Sequence, residues 1–242
     1  MPNPVLLNNI DHAAMRVIPT RGAAWGDNVM SALTYPDEFR TLQAHYPIVF
    51  QQNGEGGSGD FHALALFGFQ QGENLFLDDA HGEEVWDAPE IPLSVQRQPF
   101  LIGTDGDELM VHVDLDSPRL SREHGEPLFL PQGGNTEYTE RMASTLRAIH
   151  LGLQGARSFT AALLEHNLLE SFFLDVTLDD GSVNRLAGFH TIHEERLAAL
   201  DGAALERLHR AGHLQAIYMV LASLSQFRAL IDRKNRRNAA GR

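Results

Sequence analysis

Apolar and polar positions run at two different periods along this chain. Up to about residue 130 the apolar residues fall in short runs: Tyr46, Pro47, Ile48, Val49 and Phe50, then 61–69, 74–77, 99–103 and 109–115. Glycine, aspartate and proline separate them at Gly72, Asp78, Asp79, Pro89, Pro92, Asp105 and Gly106. Runs of this length, bounded by turn formers, predict β-strands. A short helix is expected at 36–44, with Phe39 and Leu42 on one side. From Thr136 the apolar spacing changes to three or four, at Tyr138, Met142, Leu146, Ile149 and Leu153, which predicts a helix. Glu137 and Glu140 suit its positive end. Gly152 and Gly155 are expected to interrupt it before 159–164 continues.

The next pattern is strict alternation. Phe172, Leu174, Val176 and Leu178 interleave with Phe173, Asp175 and Thr177, then Asp179-Asp180-Gly181 turns the chain and 183–192 returns. This is the hairpin most plainly written in the sequence. Short helices are expected at 194–200 and 203–211. A longer one is expected at 213–233, with Leu214, Ile217, Tyr218, Leu221, Leu224 and Ile231 inward. The expected class is α+β: a mostly antiparallel sheet from the N-terminal half plus the late hairpin, packed by C-terminal helices. A single domain over 1–242 is expected, β-rich to about 130 and α-rich from about 131 to 235, with Pro131 to Asn135 as the hinge.

Charge narrows the partners. The net charge is −13, but residues 228–242 carry Arg228, Arg233, Lys234, Arg236, Arg237 and Arg242 against Asp232 alone, so the tail is +5 and the rest −18. So acidic a body repels nucleic acid, and the tail is expected to be a solvated, frayed end. There is no cysteine, which removes thiol nucleophiles, iron–sulfur clusters and thiolate zinc sites. The start of the chain has no basic segment followed by an apolar one, and 211–227 is short for a bilayer span. A cytoplasmic protein that does not span a membrane is the expectation.

Several motifs dissolve on inspection. Gly54-Glu55-Gly56-Gly57-Ser58-Gly59 fits G-x-G-x-x-G, yet a strand pattern follows it and Glu55 and Asp60 repel phosphate, so a hairpin loop is expected. The only lysine, Lys234, lies in the tail, so there is no phosphate-binding P-loop. His209 and His213 have zinc-like spacing, but Gly212 falls between them and ends a helix. No G-x-S-x-G is present.

Two constellations remain, side by side. His112 and Asp114 project from one face of a strand whose other face carries Val111, Val113 and Leu115. With His190 or His193 they form the minority metal reading, a non-haem Fe(II) or Zn(II) enzyme. Strand alternation explains the pair without any metal, so no cofactor is expected. The second is Asp114, Asp116, Ser117 and Arg119 around Pro118, a turn at a strand end in which Arg119 is placed to fold back onto Asp114 or Asp116. A ligand- or partner-contacting loop is the functional reading of these four residues.

Asp114-Leu115-Asp116-Ser117-Pro118-Arg119-Leu120-Ser121 with Gly125-Glu126-Pro127-Leu128-Phe129 resembles the bacterial SapC family. So do Tyr46 to Phe50, Gly72-Glu73-Asn74-Leu75-Phe76, Leu174-Asp175-Val176-Thr177 and Glu194-Glu195-Arg196-Leu197-Ala198-Ala199-Leu200, in order along nearly the whole chain. The resemblance implies a non-catalytic accessory or binding protein associated with peptide or nutrient uptake or with peptide modification. Relatives tend to be encoded beside TonB-dependent receptors and flavin- or cupin-type enzymes. It implies a protein or peptide partner, such as a receptor or a modifying enzyme, and carries over no catalytic residue.

Overall fold

In the computed structural model, which describes residues 3–52, 61–78, 84–106 and 108–240, the strand expected at 109–115 forms over Glu108–Asp114. The glycine-rich loop at 54–59 lies outside the described residues. The fold is α+β, with antiparallel sheets and C-terminal helices. The chain divides into two units built from interleaved segments: Met1–Asn28, Leu77–Trp86 and Leu93–Leu151, and then Val29–Phe76, Asp87–Pro92 and Gly152–Arg242. Pro131 to Asn135, expected as a hinge, lies within the first unit, where Leu130 N donates to Gly134 O.

In the first unit, Glu108–Asp114 is the centre of a three-stranded sheet, flanked by Pro4–Leu6 and Phe100–Asp105. Val5, Val113 and Phe100 lie in one row across it. They point into a core that includes Val17, Leu128, Tyr138 and Leu146, where Val113 and Phe100 are fully buried. A second small sheet sets Arg16–Val17 between Leu120–Ser121 and Glu126–Pro127. These two-residue pairings are too short to leave a periodic trace in the sequence.

In the second unit, five strands pair in the order Leu169–Thr177, Val183–Ile192, Ile48–Gln52, Phe61–Leu66, Ser31–Thr34. The late hairpin joins the earlier strands through Phe189 opposite Gln51 and His190 opposite Phe50. Phe50 and Phe39 both pack on Phe159 of the long helix, at 6.2 and 5.9 Å between rings.

That helix, Glu137–Glu165, runs without a break through both glycines. The expected interruption is corrected by packing. A Cβ at Gly152 would lie 2.9 Å from the Tyr35 ring, so the small residue admits the ring and the helix continues past it.

The expected final helix is two helices, His213–Ser223 and Gln226–Ala240. Its inner face is also rotated from the expected one: Ala216, Ile217, Val220, Ser223, Phe227 and Leu230 are buried, while Tyr218 is 54% exposed. By length and composition, 213–240 is apolar enough to cross a bilayer. Ile217 and Val220, however, are fully buried in the unit's own core.

Up to Ala240 the basic tail is helical and tied down, not the frayed end expected. Arg233 donates to Asp87 Oδ2 at 2.7 Å and to Asp87 O at 2.9 Å, and its guanidinium lies 4.3 Å from the centre of the Phe76 ring. Lys234 pairs with Glu73, both mostly buried, and Asn238 donates to Asp180 at 3.1 Å.

Candidate functional site

The turn after Glu108–Asp114 is held by its own side chains. Asp114 Oδ1 accepts from the backbone amides of Asn3, at 2.8 Å, and Asp116, at 3.2 Å. Ser117 N donates to Asp114 O at 3.1 Å, Leu120 N to Ser117 O at 3.2 Å and Arg119 N to Ser117 Oγ at 3.3 Å. This is turn chemistry of the kind expected of Asp and Ser before proline. Leu115, Asp116 and Pro118 are left exposed, Leu115 at 38%.

Arg119 does not fold back onto Asp114 or Asp116. It is the largest fully buried side chain among the described residues, at 1% exposure. Its Nη2 donates to Asp27 Oδ2 at 2.6 Å, and its Nη1 to the carbonyls of Thr20, at 2.8 Å, and Ile18, at 3.2 Å. Asp114 is already engaged by amides at the surface. A guanidinium gains more from a buried carboxylate whose remaining lone pairs are satisfied than from an exposed one. Asp27, at 0% exposure, also accepts from Gly22 N at 2.9 Å and from Arg21 Nη1 at 3.3 Å. Arg21 in turn donates to Val95 O at 3.2 Å.

The result is a buried cluster of two arginines on one aspartate. Burial, and next the Arg119 charge, lower the pKa of Arg21, while the Asp27 charge opposes both. Burial likewise raises the pKa of the neighbouring Tyr138 hydroxyl. Arg119 Nε is buried without a hydrogen-bond partner among the described residues. Asp27 and Arg21 were missed by sequence reasoning. No sequence signal points to them, because nothing in the spacing marks Arg119 as buried.

The metal reading fares differently. His112 lies opposite Leu6 and Leu101, on the face expected from alternation. Its ring does not stand free in solvent. It covers Gly103, where an added Cβ would come within 2.5 Å of Cε1 and 2.7 Å of Nδ1, and Nδ1 itself is buried without a partner among the described residues. Asp114 serves the turn amides.

His190 and His193 belong to the other unit. The His190 ring meets Phe61 edge-on at 4.8 Å, and burial lowers its pKa. His193 Nδ1 lies 3.8 Å from Glu170 Oε2. Among the described residues, no group of three or more His, Asp or Glu side chains is placed to hold a metal ion.

The architecture is that of an α+β protein with a hydrogen-bonded turn at the end of an antiparallel strand. The chain belongs to the SapC family, whose sequence profile matches residues 7–230 of 242. No curated protein matches it, and no solved structure does.

Proposed function

We propose that this protein is a non-catalytic accessory protein that binds a protein or peptide partner in a SapC-type system of peptide or nutrient uptake or peptide modification. Its contact is the Leu115 to Pro118 turn. What supports this reading is the division of labour in that turn. Asp114, Ser117 and Arg119 fix its shape from within, while Leu115, Asp116 and Pro118 face solvent. A loop already held in one conformation loses little entropy when it docks, which favours binding. Asp116 is therefore the direct contact, and Asp114, Ser117 and Arg119 act through the loop they hold.

The test is a comparison. Wild-type protein and the Leu115→Glu/Asp116→Arg variant are used as bait in native extract, with equal melting temperatures confirmed first. The expected result is a specific protein, a receptor or a modifying enzyme, retained by the wild type and lost by the variant. Equal retention by both removes the turn as the contact, and no specific partner under several growth conditions removes the reading.

A further inference from the structure

The strand Leu169–Thr177 lies at the edge of the five-stranded sheet, and no described strand pairs with its outer side. Long edge strands are usually protected from further pairing by a bulge, a proline or charged side chains, lysine above all, and the charges here are the two acids Glu170 and Asp175. This one carries no proline or lysine. Its one irregularity sits on the inner strand: between Phe172 and Leu174 the partner spends an extra residue, around Gly188 at φ 83°. The outer strand therefore keeps its regular alternation. Phe172, Leu174 and Val176 turn inward, with Phe172 stacked on Phe227 at 5.3 Å, while Ser171, Phe173, Asp175 and Thr177 are exposed. Phe173 is 63% exposed and Val183, on the adjoining strand, 64%. Arg185 lies over the Phe173 ring at 5.5 Å and pairs with Asp175 at 3.4 Å, which places these groups on one solvent face.

We infer that this edge pairs with the same edge of a second copy of the chain, antiparallel about a two-fold axis through Phe173. The strand is self-complementary in that register. The antiparallel overlap that uses all nine residues is centred on Phe173. It sets the two Phe173 rings side by side, Asp175 opposite Ser171 and Glu170 opposite Val176. No carboxylate meets a carboxylate, and each acid on the solvent face meets a hydroxyl. A two-fold contact of this kind closes on itself and joins two five-stranded sheets into one of ten strands. Each copy carries a net charge of −13, so long-range repulsion opposes the pairing and salt relieves it.

Sedimentation equilibrium of the full chain at low and moderate salt tests this. The expected result is a concentration-dependent dimer that tightens as salt rises. Ser171 is exposed and lies opposite Asp175 twice, so Ser171→Lys is expected to tighten the dimer and Ser171→Asp to weaken it, each by about two- to thirtyfold. Phe173→Asp is expected to abolish it. A change in fold alone would not move Ser171→Lys and Ser171→Asp in opposite directions. A chain that stays monomeric at high concentration overturns the inference. So does a dimer indifferent to residue 171, or one that weakens with salt as an acidic edge on a basic partner strand would.

Discussion

Arg119 shows how much of this protein hangs on one side chain. At 1% exposure its charge is tolerated because Asp27 and two backbone carbonyls surround it. Removing one partner of such a pair strands the other charge and typically costs about 3–5 kcal/mol, whereas replacing both with apolar groups costs far less. Asp27→Ala is therefore expected to lower stability by about 3–5 kcal/mol in urea unfolding, and Arg21→Met/Asp27→Leu/Arg119→Met, which removes the whole charged cluster, to recover a large part of that loss. A loss below about 1 kcal/mol for Asp27→Ala would mean that the cluster behaves like a surface pair. The sequence shows why Arg119 matters locally but not what it touches. Asp114, Asp116 and Ser117 turn the chain by interactions with neighbours two or three residues away, which local spacing encodes. Asp27 lies 92 residues from Arg119, and no periodicity links them. Alternation assigns His112 its strand face, but its contact with Gly103 depends on how two strands register.

Among the elements, those with a long, regular period were legible. The hairpin Leu169–Thr177 with Val183–Ile192 and the start of the helix Glu137–Glu165 form close to where alternation and spacing put them. What failed was the reading of glycine. Propensity treats Gly152 and Gly155 alike, but their surroundings differ: a Cβ at Gly152 would strike the Tyr35 ring, and one at Gly155 meets nothing within 4 Å. The two substitutions are therefore expected to diverge. Gly155→Ala should raise stability by about 0.5–1 kcal/mol, the ordinary helix gain. Gly152→Ala should lower it, because crowding an aromatic ring outweighs that gain. Thermal melts of the two single variants check this, and equal stabilisation by both would refute the packing account. The rotated inner face of 213–240 has a similar origin. Ser223 is fully buried, donating to Val220 O at 2.6 Å and accepting from Ile48 N at 2.9 Å, so the true stripe contains a polar residue that a hydrophobicity pattern passes over.

For the molecule as a whole, two effects on stability oppose each other as pH falls, and they can be separated. The net charge of −13 at pH 7 approaches zero near the isoelectric point of about 5.3, which relieves self-repulsion and should stabilise the folded chain. Against this, burial lowers the pKa of His62, His190 and His213. His62 and His190 each have Nδ1 buried without a partner among the described residues, and the His213 ring packs on Phe159 at 5.6 Å. Unfolded histidine titrates near 6.5. Below that pH the unfolded chain takes up protons that these folded histidines resist, so stability is lost as pH falls from about 6.5 through their lowered folded values. Three histidines shifted the same way within one unit act together, whereas self-repulsion between dispersed surface charges is largely screened at physiological salt. The urea midpoint at moderate salt is therefore expected to fall between pH 7 and 5.5. The His62→Leu/His190→Leu variant should show a flatter profile, and at low salt both curves should tilt upward toward acid as screening is removed. A wild-type midpoint that rises toward pH 5.5 at moderate salt would mean that charge relief dominates and that these partly buried histidines are hydrated in the folded state.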